Sequence, residues 1–162
     1  MFSLEKVNAG EYRFVVQGLP PAMYVKSARF DQTDILASGF TVSDRSPGTL
    51  QVVLSANSGQ ITGNVSDKES KPVRGIPTVL IPDNNRDRRE LFKIVQTDQN
   101  GHFVMNGIAP GDYKVFAWED IEPFSYFDTD VLKQFEDNGK PIHIVETTKE
   151  TMDFRLIPAA TP

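Results

Sequence analysis

Cysteine is missing from all 162 residues, which removes disulfides, thiolate metal sites and cysteine nucleophiles together. It does not decide the compartment, because an exported module can fold without disulfides. Basic charge is in deficit, with 17 Lys and Arg against 22 Asp and Glu and a formal net charge of −5. That balance disfavours adhesion to nucleic acid or to anionic lipid, so no nucleic-acid partner is expected. No apolar run approaches the roughly 20 residues that span a bilayer. The start, MFSLEKVNAGEY, has no basic end followed by an apolar core, so this chain is not expected to insert into a membrane and any export signal lies outside it. Histidine occurs only at His102 and His143, far apart and with no motif around either, and neither G-x-S-x-G nor H-E-x-x-H is present. No catalytic residue is therefore assigned, and the chain is not expected to be an enzyme. No cofactor is expected.

What is present is a regular alternation of Val, Ile, Phe, Tyr and Thr segments with Gly, Pro, Asn and Asp clusters, the pattern of an all-β sandwich. The pattern predicts strands near 2–4, 11–17, 23–30, 49–55, 59–66, 75–82, 92–97, 102–106, 112–118, 142–146 and 151–157. In Asp112–Trp118, Tyr113, Val115 and Ala117 face one way and Phe116 and Trp118 the other. Leu50, Val52 and Leu54 share a face, as do Met152, Phe154 and Leu156. Gly75–Pro82, GIPTVLIP, is apolar on both faces and reads as a covered strand, although Pro77 argues for an edge or a bulge. After Trp118 the alternation fails. Asp128 stands as a helix N-cap and Gly139 at the helix end, so a short helix is predicted near 129–137, packing Val131, Leu132 and Phe135 on the sheet.

Part of the chain is used twice. Phe103-Val104-Met105 and Ile108 to Val115 lie over Phe2-Ser3-Leu4 and Val7 to Phe14 at a constant offset of 101 residues, and the stretches that follow, to Met152 and to Leu50, agree in length within one residue. The first copy has no counterpart of Ser58–Gln99. The expectation is a chain that begins inside a repeat and is a piece of a longer protein: residues 1–56 the C-terminal half of a preceding sandwich, 57–158 a complete one, 159–162 a tail. A half-sandwich leaves an apolar face and strand edges in water. Residues 1–56 are thus expected either to pack on the second unit or to form a homodimer with another copy.

SGQITGNVSDKESKPVRGIPTVLIP followed by QTDQNGHFVMNGIAPGDYKVFAW resembles the carboxypeptidase regulatory-like domain. This is a transthyretin-like (prealbumin-like, Ig-like) seven-stranded β-sandwich related to the collagen-adhesin B-type and starch-binding-like modules. The residues that carry the resemblance are Gly59, Ile61, Gly63 and Val65, then Pro72, Val73 and Gly75, then Thr97, Asp98, Gly101 and Phe103, then Pro110, Gly111 and Tyr113. It covers about 59–157, and Ala9 departs from it where the turn proline is expected. The resemblance implies a non-catalytic module, periplasmic or extracellular, of a large exported bacterial protein, a spacer or docking surface whose partner is a protein or a polysaccharide. Transthyretin-like folds include a hydrolase of an oxidised urate, but that family ends in a Tyr-Arg-Gly-Ser-type tail and this chain ends RLIPAATP. Some related modules carry a Lys–Asn isopeptide bond between core strands beside a buried acid; here alternation turns Asn64 away from the Ile61 and Val65 face.

Two stretches do not repeat, and the candidate sites are there. Trp118, Phe124, Tyr126 and Phe127 cluster beside the acids Glu119, Asp120 and Glu122. Such aromatic faces stack on sugar rings while carboxylates hold hydroxyls, which makes this a candidate carbohydrate-binding site. The alternative is that the same aromatics form the seam between the insertion helix and the sheet. In the loop DNNRDRRE, Asp83, Asn85, Asp87 and Glu90 place oxygens at near-alternating positions, as a calcium ion requires. Against calcium stand the missing turn glycine and the cations Arg86, Arg88 and Arg89, which suit a solvated loop with local ion pairs.

Overall fold

The computed structural model describes residues 6–43 and 48–159; the strand expected at 2–4 and most of the tail lie outside them. In chain order the strands are β1 (Gly10–Tyr12), β2 (Tyr24–Phe30), β3 (Thr33–Asp34), β4 (Phe40–Val42), β5 (Leu50–Ser55), β6 (Gly59–Ser66), β7 (Pro77–Pro82), β8 (Lys93–Gln96), β9 (His102–Ile108), β10 (Gly111–Ala117), β11 (Lys140–Ile144), β12 (Lys149–Thr151) and β13 (Phe154–Arg155). One short helix, α1 (Thr129–Lys133), lies between β10 and β11. The protein is an all-β sandwich with several antiparallel sheets.

Two sheets enclose the main core. One has the order β11-β10-β7-β8; in the other β6 pairs with β9 on one side and with β12 and β13 on the other. Their facing side chains form one cluster, including Ile61, Val65, Leu80, Phe103, Met105, Tyr113, Val115 and Ile144. The opposite face of the β10 sheet makes a second cluster in which Val79, Ile81, Phe116 and Trp118 meet Tyr126 and Leu132 of the insertion. The alternation in Asp112–Trp118 is the cause: Tyr113, Val115 and Ala117 enter the first cluster and Phe116 and Trp118 the second. β7 contributes to both clusters, as its uninterrupted apolar run requires. Pro77 is neither at an edge nor in a bulge. It opens a central strand, opposite Gln96, where a missing N–H is tolerated.

The Asp98–Gly101 hairpin forms as its residues predict. The Asp98 carboxylate accepts from the backbone N–H of Asn100 (2.8 Å) and of His102 (2.9 Å). These bonds from His102 and Asn100 hold its pKa below the usual aspartate value.

Several expectations are corrected. The strand predicted at 151–157 is two short pieces, and both pair with β6 in parallel: Thr151 opposite Thr62 and Phe154 opposite Val65. The break falls at Met152–Asp153, where the Met152 carbonyl lies so close to Gly63 that a Cβ there would sit 1.9 Å from it. Met152, Phe154 and Leu156 nonetheless all reach the first cluster. The helix is shorter than 129–137. Asp128 caps it, accepting from Asp130 N–H at 2.8 Å, but the chain leaves α geometry at Phe135 (φ −114°) and closes with a 3-10 turn at Glu136–Asn138. Gly139 is not a left-handed cap, since its φ is −70°. It is needed for proximity: a Cβ would come within 2.4 Å of the Phe116 ring.

In the N-terminal segment β1 pairs with β4, and β2 pairs with β5 and β3. Tyr24, Ala28 and Ile35 are buried there. The strand predicted at 11–17 ends at Tyr12. Leu54 is less sheltered than Leu50 and Val52: it is 41% exposed, next to the bulge at Lys26 of β2 that shifts the register of the pair. The two copies agree in detail. Gly10 faces Val42 and Tyr12 faces Phe40, as Gly111 faces Ile144 and Tyr113 faces Ile142. In both copies the tyrosine hydroxyl donates to the carbonyl four residues back, Asn8 (2.9 Å) and Ala109 (2.8 Å). Tyr113 is buried, and desolvation pushes its pKa up to about 12.

Candidate functional site

The aromatic stretch after β10 divides by depth. Trp118, placed by β10, is 1% exposed. Its indole lies flat on Phe116 (centroids 5.0 Å apart, planes at 1°) and takes the edge of Phe135 at 5.8 Å. Both faces are covered, so Trp118 offers no platform to a sugar. Its Nε1 is buried and has no hydrogen-bond partner among the described residues. Tyr126 is buried, and Phe127 packs edge-on against both Phe92 and Tyr126 at 4.9 Å, with the Arg89 guanidinium 4.7 Å over its ring. Phe124 is different. It is 71% exposed and held at φ 72°, with its ring 6.4 Å from Tyr126 and 6.5 Å from Phe127. Glu119 and Asp120 are exposed, and Glu119 Oε2 accepts from the Ala159 N–H at 3.1 Å. The structure therefore brings Phe124, Tyr126 and Phe127 together, places Trp118 beneath them, and leaves one aromatic face open.

In the Asp83–Glu90 loop the three arginines and Glu90 are engaged with other protein groups. Glu90 Oε1 accepts from Arg88 Nε at 2.7 Å. Arg86 turns its guanidinium onto Glu136, donating from Nη2 at 3.0 and 3.2 Å and from Nη1 at 3.3 Å, while its Nε donates to the Pro82 carbonyl at 3.0 Å. Asp83, Asn85 and Asp87 are exposed. Among the described residues no three His, Asp or Glu side chains converge as a metal cage.

The sequence reading missed what Glu136 does. Lys114 on β10 also donates to it, at 2.7 Å, so one carboxylate of the insertion bridges the loop and the sheet. The hydrogen bonds from Arg86 and then Lys114 hold the Glu136 carboxyl below the usual glutamate range. The only sequence signal was that both non-repeating stretches are charged. A second contact region joins the N-terminal segment to the sandwich. Lys26 and Tyr24 both donate to Glu146 Oε1, at 2.6 and 3.2 Å, and Ser58 Oγ donates to the Ala22 carbonyl at 2.8 Å. Beside these contacts lies an open cleft of about 430 Å³ whose walls include Val16, Leu19 and Met23 on one side and Lys93, Val95 and Val104 on the other. Burial lowers the Lys93 pKa.

The remaining sequence candidates stay apart. His143 Nδ1 lies 2.6 Å from Asp112 Oδ1 on an exposed sheet face, and His102 sits in the hairpin strand. Asn64 Nδ2 donates to Asp153 Oδ1 at 3.0 Å, and both residues are exposed.

No family model matches the chain, and no curated protein is similar to it. Solved structures with similar parts are the TIE protein of Bacillus anthracis, the minor pilin of Streptococcus agalactiae, and a Pseudomonas aeruginosa protein described as a candidate carbohydrate-binding protein. The first shares 10% identity at a TM-score of 0.41 over 72% of this chain and 20% of its own length. The minor pilin shares 16% at 0.40 over 91% of this chain and 64% of its own, and the Pseudomonas protein 13% at 0.41 over 61% and 88%. The chain thus spans only a fifth of the Bacillus protein.

Proposed function

We propose that the chain is a non-catalytic structural and interaction module of the carboxypeptidase regulatory-like kind, part of a larger exported bacterial protein in which it acts as spacer or docking surface. In this reading residues 57–158 are one complete unit and residues 1–56 the C-terminal half of a preceding repeat. The observation that carries it is the repeated β-pair with its tyrosine. Gly10–Tyr12 with Phe40–Val42 matches Gly111–Tyr113 with Ile142–Ile144 in register, and both tyrosines close the same turn. What recurs is a folding device, while of the stretches that do not recur Arg86 and Glu136 form an ion pair, joined by Lys114, that ties the insertion to the loop and the sheet. The test is the reading frame upstream of Met1. A Gly-x-Ile-x-Gly-x-Val segment there supports the repeat, and an in-frame stop refutes it.

A second reading has one observation in its favour: Phe124, a large apolar side chain held 71% exposed at a positive φ. Such strain at the surface is a marker of binding sites. In that reading Phe124 stacks on a sugar ring with Glu119, Asp120 and Glu122 at its rim. A glycan array separates the two. Saturable binding lost in Phe124→Ala establishes the carbohydrate module, and absence of binding across the array eliminates it.

A further inference from the structure

We infer that the cleft between the linker at residues 18–23 and the β8–β9 side of the sandwich binds a small amphipathic monocarboxylate, with Lys93 as counter-charge to its carboxylate and aliphatic walls around its apolar body. This goes beyond the reading above and depends neither on the repeat nor on the ends of the chain.

The linker is held as a wall by close backbone contacts. Met23 N–H donates to the Pro20 carbonyl at 2.9 Å, closing a turn over Pro21 and Ala22, and Ser58 Oγ donates to the Ala22 carbonyl at 2.8 Å. Gly107 of β9 has a φ of 67°, and a Cβ there would come within 2.5 Å of the Pro21 carbonyl, so the linker backbone rests directly on the strand. Leu19 and Met23 of the linker then share with Leu91, Val95 and Val104 of the sandwich an opening of about 430 Å³. That is within the range of about 300–1,000 Å³ usual for small-molecule sites.

Charge selects the occupant. Three charged side chains line the cleft, Arg88, Glu90 and Lys93. Arg88 Nε donates to Glu90 Oε1 at 2.7 Å, so those two answer each other and Lys93 is left over. Lys93 is half-buried on the side of β8 that carries Val95, while Ile94 faces the other way and is 45% exposed. Among the described residues its ammonium has no hydrogen-bond or ion-pair partner, and burial lowers its pKa against a smaller opposing pull from Glu90. An ammonium held partly out of water with no partner is a cost that a carboxylate in the cleft removes by a charge-assisted hydrogen bond. One unanswered positive charge matches one negative charge, and aliphatic walls match an aliphatic body. A sugar fits poorly, since the one aromatic residue of the lining, Tyr24, is 7% exposed and its hydroxyl donates to Glu146.

The test titrates sodium octanoate, below its micelle-forming concentration, into the full chain by calorimetry, with 1-octanol as the probe that keeps the apolar body and lacks the charge. Saturable binding of octanoate is expected, about tenfold tighter than that of octanol. Lys93→Met keeps the aliphatic stem and removes the ammonium, so it should bind the two probes alike while holding octanol as the parent does. Val104→Asp sets a like charge on the cleft wall at an exposed position and should weaken octanoate by about tenfold or more. Ile94→Asp, on the other face of β8, should leave the affinity as it is, and so should Phe124→Ala. The fluorescence of the buried Trp118 checks folding throughout, and if Lys93→Met disturbs it, the contrast between Val104→Asp and Ile94→Asp decides. The inference is overturned if octanoate does not bind saturably, if a folded Lys93→Met still prefers octanoate to octanol, or if Val104→Asp binds octanoate as Ile94→Asp does. Loss of octanoate binding in Phe124→Ala equally overturns it, by moving the ligand to the aromatic patch. None of these outcomes touches the glycan-array result or the upstream reading frame, so the readings fail separately.

Discussion

Replacing Glu136 with glutamine should loosen the insertion from the sandwich. The carboxylate accepts from Arg86 at 3.0 Å and Lys114 at 2.7 Å, and the three side chains are 34%, 21% and 22% exposed respectively. A fully exposed pair contributes about 0.2–1 kcal/mol, and breaking a buried one costs about 3–5 kcal/mol because a charge is stranded. Two pairs that share one carboxylate, itself a third open to water, fall between: about 1.5–2 kcal/mol for Glu136→Gln, or a fall in Tm of roughly 3–8 °C for a chain of this size. The sign of the pH dependence follows from the depressed carboxyl. Its folded pKa lies below the ordinary value of 4.5, so the stabilisation is complete above pH 4.5 and is lost as pH falls through the folded value. Urea titrations read by Trp118, the single tryptophan and packed on Phe135 beside Glu136, should therefore show the full gap between parent and variant near neutrality. The gap should close progressively below pH 4.5. Adding Lys114→Met in a double-mutant cycle should return a coupling of about 1 kcal/mol. A gap below about 0.3 kcal/mol, or one that is the same at both ends of the pH range, would refute the bridging role.

Four further substitutions probe the fold. Gly63→Ala drives a Cβ to 1.9 Å from the Met152 carbonyl, so β12 and β13 must shift off β6, at a cost of about 2–4 kcal/mol in chemical denaturation. Tyr113→Phe should cost about 1–1.5 kcal/mol by removing a buried bond to the Ala109 carbonyl, whereas Tyr12→Phe, at a residue 36% exposed, should cost under about 0.5 kcal/mol. An equal loss at both positions would mean that burial does not set the value of this bond. Thr147→Gly should stabilise by about 1 kcal/mol, since a β-branched residue at φ 63° is strained and the site is exposed. A lower urea midpoint in that variant would show that Thr147 does more than turn the chain.

Strand positions and faces were legible wherever the cause was local. Gly59–Ser66 is a strand over the range its alternation indicates, and Tyr113 and Trp118 part to opposite faces because consecutive strand residues must. The likeness of Gly10–Tyr12 to Gly111–Tyr113 was legible too, although the hydrogen bond by which each tyrosine closes its turn was not. The failures share a different cause. Arg13–Val16 has strand chemistry but lies outside the ladder, since β1 ends at Tyr12. Phe135 lies outside helical geometry and its ring packs edge-on against Trp118, a contact that no capping rule encodes. Of the candidate site, the grouping of Phe124, Tyr126 and Phe127 was readable from their spacing. Alternation set the face that Trp118 takes; that the insertion covers that face and buries the ring was not readable.

Residue order was enough to settle an all-β chain, most of its turns and the absence of cysteine chemistry, because turn residues and side-chain alternation act over a few positions. It was not enough to say which strands are neighbours. The parallel seating of β12 and β13 on β6 depends on a contact between Gly63 and Met152, and alternation is the same whether a strand's neighbour runs parallel or antiparallel. Nor does charge along the chain name its partner. Glu136 meets Arg86 from 50 residues away and Lys114 from 22, and only the folded course of the insertion over the β10 sheet brings the three within hydrogen-bonding distance.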